Sequence, residues 1–279
     1  MQENSLWVEK YRAKRLSGML LSPHTRSVIE SFITNKQIPH LLFVGPPGTG
    51  KTTVAKCIVE ELDAQYRYIN ASDERGIDTI RDKIISFAQT RSIDGGIKII
   101  ILDESDGLTE VAQRALRNVM EEYSDTTRFI LTANYKGRII EPIISRTQFF
   151  EILPAYDDCF PYIVNILKHE GIKVPDDQLV NIESLVRQCY PDLRKTVNEL
   201  QKASTSGTLN IQHQKSSSFP EVVVDKIVHN TSIAELRQLI LDNEIEFKND
   251  YHSLLRGVFD CISKRSMPDG QKGSALVLI

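Results

Sequence analysis

The stretch Gly45-Pro46-Pro47-Gly48-Thr49-Gly50-Lys51-Thr52 has the residue types and spacing of a loop that wraps a polyphosphate. Its glycines let the backbone turn N–H groups inward around an anion. Lys51 is spaced to reach β- and γ-phosphates, and the Thr52 hydroxyl to hold Mg²⁺. The apolar run Leu41-Leu42-Phe43-Val44 precedes the loop, and a helix-compatible run from Thr53 to Leu62 follows it. A helix placed there aims its positive amino end at the same anion. A glycine-rich loop without a ligand is the plain alternative, and the strand–loop–helix context argues against it.

A second element turns phosphate binding into hydrolysis. Ile97-Lys98-Ile99-Ile100-Ile101-Leu102 runs into Asp103-Glu104. A nearly continuous apolar, β-branched run suits a parallel strand buried on both faces. The two carboxylates then stand at the strand's carboxyl end, where open α/β sheets bind ligands. Asp103 is the expected Mg²⁺ partner, and Glu104 the base that polarises an attacking water. Alone, such a pair reads as surface charge; about fifty residues after a phosphate loop it reads as catalytic.

Three further residues bear on phosphate chemistry. Asn134 closes the strand Arg128–Asn134; it either orients the water and senses the γ-phosphate or is a turn residue. Arg146 follows the short segment Gly137–Ile144 and should lie at the sheet edge, away from its own phosphate loop. There it is either a surface arginine or a finger acting on a neighbouring subunit's nucleotide. Arg194, after Pro191-Asp192-Leu193, either reaches back to the γ-phosphate or pairs with an acidic neighbour on a helix surface. The segment Ser72–Lys83 carries Arg75, Gly76, Ile77, Arg81 and Lys83 among acidic residues, so on charge alone it reads as a solvated face.

These groups need positioning by alternating elements. Candidate strands are His40–Gly45, Tyr66–Ala71, Ile97–Asp103, Arg128–Asn134 and Gln148–Ile152, with helices Thr52–Leu62, Asp78–Thr90 and Glu110–Tyr123 between them. That order implies a mostly parallel sheet with right-handed crossovers. Past Leu153-Pro154 the strands stop. Helices are expected at Asp157–Glu170, Asp176–Gln188 and Asp192–Ala203, each with an aspartate near its start, and Gly171 is a candidate helix stop. Ser204–Gly207 and Gln212–Ser218 read as loop or linker. Helical runs at Glu221–His229, Ser232–Asp242 and Tyr251–Arg265 follow.

Composition narrows the class. The chain has 279 residues, 41% hydrophobic and 25% charged, as a soluble globular protein does. A net charge of −3 gives no global field for nucleic acid, so any such site is a local patch. Cys57, Cys159, Cys189 and Cys261 are far apart and suggest reduced thiols rather than zinc or disulfides. The polar start Met1–Ser5 lacks a signal-peptide core, and no apolar run approaches a membrane span.

The ordered set Trp7-Val8-Glu9-Lys10-Tyr11-Arg12, Ile38-Pro39-His40-Leu41-Leu42, the phosphate loop, Asn70-Ala71-Ser72-Asp73, Asp103-Glu104, Gln113–Glu121, Thr132-Ala133-Asn134, Ser145-Arg146 and Pro191–Lys195 resembles the AAA+ clamp-loader ATPases. It is most similar to the replication factor C small-subunit and T4-type phage loader group, from about Leu6 to Ala203. The resemblance implies an α/β P-loop AAA+ domain with a parallel five-stranded sheet over residues 1–153. A helical lid domain over 154–212 and a helical collar-like domain over 213–279 follow. It also implies an ATPase, using ATP and Mg²⁺, that opens a sliding clamp and places it on primer–template DNA.

Roles follow from the same resemblance. Val8, Tyr11 and Arg12 form the adenine pocket. Asn134 is the first sensor, Arg194 the second, and Arg146 the finger supplied in trans. Asn70 restrains Glu104 until DNA binds, Gln113 sits on the helix linking the catalytic strand to the DNA-facing surface, and Arg75 to Lys83 track the DNA backbone. Implied partners are the other subunits of a hetero- or homo-oligomeric, pentameric ring, the clamp and DNA, with no membrane. The implied location is the cytoplasm of a prokaryotic or phage-infected cell, or a nucleus. Ala13, Thr147 and Ser105 depart from the family pattern without removing a phosphate ligand, base or finger. The alternatives are another AAA+ motor, such as a branch-migration helicase or helicase loader, and a non-catalytic stator-like subunit. The apolar ending Ala275–Ile279 after a Pro/Gly turn suggests a collar that is incomplete or divergent, with weak assembly.

Overall fold

A computed structural model describes residues 6–72, 77–90, 96–175, 178–205, 207–211, 218–228, 232–243 and 251–264. Five strands form one sheet: β1 (Leu41–Val44), β2 (Tyr66–Asn70), β3 (Lys98–Asp103), β4 (Thr127–Ala133) and β5 (Gln148–Glu151). The order is β2-β3-β4-β1-β5, and every pairing is parallel. Strand residues alternate between two cores. Leu42, Val44, Ile100, Leu102, Phe129 and Leu131 face one side. Leu41, Phe43, Ile99, Ile101 and Ile130 face the other. A sheet covered on both faces explains the unbroken apolar runs.

Helices cover the two faces. α3 (Lys51–Glu61) buries Val54, Ala55, Cys57, Ile58 and Val59 against the second core. α5 (Glu110–Glu122) buries Ala112, Leu116, Val119 and Met120 in the first, beside Ile84 of α4 (Ile77–Gln89). The expected strand and helix positions hold to within a few residues. Two helices had no counterpart in the sequence reading: α1 (Trp7–Lys10) and α2 (Pro23–Thr34). α2 carries readable start signals, with Ser22 capping the Thr25 N–H and Pro23 in the first turn. Gly137–Ile144, expected as one helical segment, is a single turn at Lys136–Arg138 followed by α6 (Glu141–Ile144).

The lid is α7 (Tyr156–His169), α8 (Leu179–Cys189) and α9 (Leu193–Ala203). Asp157 lies in the first turn of α7, and Asp192 caps α9 by accepting from the Lys195 N–H at 2.8 Å. Gly171 takes φ +63° just past α7, the left-handed stop that glycine allows. Asp176 lies outside the described residues. The chain divides into two compact units, Met1–Ile211 and Gln212–Ile279. The second contains α10 (Ser218–Val228), α11 (Ile233–Asp242) and α12 (Tyr251–Lys264) around Phe219, Val223, Val224, Leu254, Val258 and Ile262. Ala275–Ile279 lie outside the described residues. Among the described residues no helix is long and apolar enough to cross a membrane. The four cysteines are free.

His40, just before β1, ties the sheet together. Its Nδ1 accepts from the Phe129 N–H at 3.1 Å, which requires an unprotonated Nδ1. Burial, with Arg128 nearby, pushes its pKa down to about 4. The unfolded chain therefore binds a proton between pH 4 and about 6.5 that the folded chain refuses, so stability falls as pH drops through that window. The loss is about 3 kcal/mol at most. His40→Asn, which keeps an acceptor but does not titrate, should flatten the slope. Urea unfolding at a series of pH values checks this, and an unchanged slope in the variant would locate the proton uptake elsewhere.

Candidate active site

Parallel register brings three strand ends to one edge of the sheet. The phosphate loop leaves the carboxyl end of β1, Asp103 closes β3, and Asn134 follows β4, which lies between them. In the loop, Gly48 and Gly50 take φ +75° and +96°, values that side chains resist. Gly50 caps α3 with no side-chain hydrogen bond, so the first N–H groups of an 11-residue helix face the loop. A methyl group on Gly45 would lie 2.3 Å from the Ile152 carbonyl. The Thr49 hydroxyl donates to Pro46 O at 3.0 Å and braces the Pro46-Pro47 bend. This cradle fits a polyphosphate.

Lys51 is buried; its ammonium donates to Gly45 O and Pro46 O at 2.8 Å each, and to Asn134 Oδ1 at 2.9 Å. Desolvation lowers its pKa, opposed by Asp103 and Asp106. Lys51 and Asn134 thus meet at one point, as their expected roles require. Asp106 Oδ2 accepts from the Asn134 and Tyr135 N–H groups at 3.2 and 3.3 Å, fixing the turn after β4.

The carboxylates are held by hydroxyls. Asp103 Oδ1 accepts from Thr52 Oγ1 at 2.7 Å and from Thr132 Oγ1 at 2.5 Å; Oδ2 accepts from the Tyr68 hydroxyl at 2.7 Å. One carboxylate beside one hydroxyl is a donor set suited to Mg²⁺, which takes few protein ligands and completes its shell with phosphate oxygens and water. Among the described residues no cluster of three His, Cys, Asp or Glu side chains could hold a metal without a nucleotide. Thr132 also accepts from the Glu104 N–H at 3.0 Å, so a single hydroxyl fixes both acids. Glu104 needs that help, because its φ of +55° is left-handed, a strained state for a residue with a side chain.

Asn70 was expected to restrain Glu104. The structure routes the link through Ser72, whose Oγ donates to Glu104 Oε2 at 2.5 Å and whose N–H donates to Asn70 Oδ1 at 3.0 Å. Gln113 lies on α5, the helix that follows the strand of the acid pair. It is buried and donates to Leu108 O and Arg138 O at 3.2 and 2.8 Å, while its Oε1 accepts from the Ile140 N–H at 2.9 Å. It anchors the segment that leads into α6 and Arg146.

A cleft beside the phosphate loop is lined by Val8, Tyr11, Arg12, Gly48, Thr49, Gly50, Thr53 and Arg194. The sequence reading missed Met19, Leu20, Tyr162 and Val197 on the same wall. Asp192 sits so close to the loop that a methyl group on Gly48 would fall 1.8 Å from its Oδ1. Arg146 is elsewhere. It precedes β5, whose Gln148 pairs with Leu41 at the amino end of β1, whereas the loop follows Val44. Arg146 is thus roughly 10 Å or more from its own loop by strand rise. Its Nε donates to Glu121 Oε1 at 2.6 Å and its Nη1 to Pro142 O at 2.8 Å. Of the residues expected to face DNA, Arg75 and Gly76 lie outside the described residues. Ile77, Arg81 and Lys83 are on α4, and only Lys83 has a described side chain, half-buried.

Gly48→Ala should force α9 off the loop and add about 1–2 kcal/mol of left-handed strain. Both thermal stability and affinity for a nucleoside triphosphate should fall. Lowered stability with unchanged affinity, measured by calorimetry, would show that the lid contact does not contribute to binding.

Residues 41–155 match the family described as "ATPase family associated with various cellular activities (AAA)", and residues 160–211 match "Sliding-clamp-loader large subunit, AAA+ ATPase lid domain". The replication factor C small subunit of Archaeoglobus fulgidus is 36% identical over 98% of this chain and 88% of its own length. That of Thermofilum pendens is 46% identical over 84% of this chain and 71% of its own. For Sulfolobus acidocaldarius the figures are 43%, 76% and 66%, so the chain spans about two thirds of that relative. Among solved structures, the Thermotoga maritima RuvB Holliday junction branch migration motor superposes with a TM-score of 0.58 at 16% identity, covering 83% of this chain and 85% of that one, a likeness of fold. With a phosphate loop, an acid pair and a clamp-loader lid in one sequence order, the chain belongs to the replication factor C small-subunit family of AAA ATPases.

Proposed function

We propose that this chain is the ATP-hydrolysing subunit of a sliding-clamp loader, which opens a clamp and places it on primer–template DNA. The observation that carries the reading is an intact loop–carboxylate site in a chain whose next domain matches a clamp-loader lid. Intact Lys51, Thr52, Asp103 and Glu104 favour it over a stator-like subunit. Relatives at 36–46% identity favour it over a branch-migration motor, which shares the fold at 16%.

In this mechanism ATP lies with its base against Val8, Tyr11 and Arg12 and its phosphates over Gly45–Thr53. Lys51 exchanges its loop carbonyls for β- and γ-phosphate oxygens, since a buried ammonium gains more from anions than from neutral acceptors. Thr52 and Asp103 would hold Mg²⁺, which would supply positive charge to offset that of the phosphates. Asn134 orients the water. Glu104, released from Ser72, accepts its proton. Arg194 senses the γ-phosphate from the lid. Arg146 acts on the nucleotide of the neighbouring subunit, because its position at the amino end of the sheet removes it from its own. ATP at such interfaces shapes a spiral of subunits that opens the clamp. DNA enters along Arg75, Gly76, Ile77, Arg81 and Lys83, and hydrolysis lets the clamp go. Stimulation of ATPase activity by primed DNA and by a cognate clamp, together, tests the loader reading; an ATPase indifferent to both would exclude it.

Glu104→Gln should bind ATP near normally and fail to turn it over, since only the base is lost. Arg146→Ala should leave affinity little changed and cut turnover by about 10³-fold or more. Mixed, the two variants should regain part of the activity, because some interfaces then join a good base to a good finger. An absence of rescue at every mixing ratio would mean that Arg146 does not act in trans.

A further inference from the structure

Tyr68 is on β2, the edge strand, paired with Ile101 two residues before the Asn70–Asp103 pair. It therefore shares a face of the strand with Asn70. Its side chain is 39% exposed, yet its hydroxyl reaches inward to Asp103 Oδ2 at 2.7 Å. The ring lies under the Lys56 ammonium of α3, 5.0 Å from the ring centre. Lys56 and Thr52 are one turn apart on that helix. The tyrosine thus bridges the helix that carries Thr52 and the carboxylate that Thr52 contacts.

Asp103 needs such a bridge. Thr52 and Thr132 both donate to Oδ1, so their restraint bears on one edge of the carboxylate. The Tyr68 hydroxyl on Oδ2 restrains the other edge, and with it the tilt of the carboxylate plane. Tyr68 is a neutral donor, so it fixes the carboxylate without cancelling the charge that attracts a cation. Mg²⁺ tolerates little deviation from octahedral geometry, and Asp103 is the carboxylate that meets the Thr52 hydroxyl.

We propose that Tyr68 is a positioning residue for the divalent cation: its hydroxyl, held by the Lys56–ring contact, sets the orientation in which Asp103 meets the metal. The inference rests on the ATPase reading above. It concerns metal affinity, and leaves contacts to the base, ribose and phosphates untouched.

Tyr68→Phe keeps the ring under Lys56 and deletes the hydroxyl alone. Binding of a fluorescent, non-hydrolysable ATP analogue is titrated with Mg²⁺, and again in EDTA, on the full chain. Groups of this kind around a metal ligand contribute about 10–100-fold in affinity. The Mg²⁺ concentration at half-maximal binding should rise by about tenfold, with affinity in EDTA unchanged. Mn²⁺ electron paramagnetic resonance of the nucleotide complex should show the same weakening directly. An unchanged Mg²⁺ midpoint would overturn the assignment, as would an equal loss of affinity with and without the metal. A lowered urea midpoint with the Mg²⁺ midpoint intact would assign Tyr68 to packing instead and overturn it too. Wild-type binding that ignores Mg²⁺ altogether would overturn the ATPase reading, and the assignment with it.

Discussion

The site depends on one constraint: in a parallel sheet all carboxyl ends lie on one side. The order β3-β4-β1 then sets the acid strand and the phosphate-loop strand on either side of β4. That is why Thr132 and Asn134, from the strand between, touch both halves. Thr132 holds Asp103 and the Glu104 amide, while Asn134 holds Lys51. Burial on both faces makes this register rigid, since a slip of one residue would turn Leu42 and Leu41 into each other's cores. The strained backbone of Glu104 is sustained by that rigidity.

The same topology keeps Arg146 away from the phosphate loop of its own chain. β5 is parallel to β1, so the residue just before it is stranded at the opposite end of the sheet from the loop. Arg146 is held there by Glu121 in a pair whose side chains remain 35% and 47% exposed. Ion pairs at that exposure contribute about 1 kcal/mol or less. An arginine so weakly engaged exchanges partners readily, as the role in trans proposed above would require. Gln113, by contrast, is buried with its amide fully used on Leu108, Arg138 and Ile140. The backbone leading to Arg146 is thus fixed, while its side chain is free to trade.

Much of this was legible in the sequence because the chemistry is local. Lys51 and Thr52 are read from six neighbours, and Asp103-Glu104 from the apolar run before them. The strands were legible because both faces are buried. What was not legible crosses strands. Tyr68 meets Asp103 across 35 residues, and Ser72 meets Glu104 across 32. Neither spacing has a period or a motif. Asn70 was placed correctly beside the base, yet a serine two residues on makes the contact, a distinction set by side-chain length. α1 was missed because a four-residue helix has too few turns for a pattern. Its stability comes from Trp7, whose ring is buried in the lid core and whose backbone N–H donates to Gln201 Oε1 at 3.0 Å.

That lid contact has a consequence for how nucleotide and lid communicate. Trp7, Val8 and Tyr11 pack with α7, α8 and α9, and Tyr162 donates to Tyr11 O at 3.2 Å. A few residues later, Leu16, Met19 and Leu21 pack with α3 against the sheet. The segment between is a strap with one end in each body, and the cleft lies along it. A nucleotide held there, as proposed above, would touch the phosphate loop, the strap and the start of α9 together. Lid angle and cleft width are then a single variable, and whatever shifts the lid must change nucleotide affinity by the same free energy with which nucleotide shifts the lid. Gly48 sits at the pivot, because only a residue without a side chain lets Asp192 close against the loop.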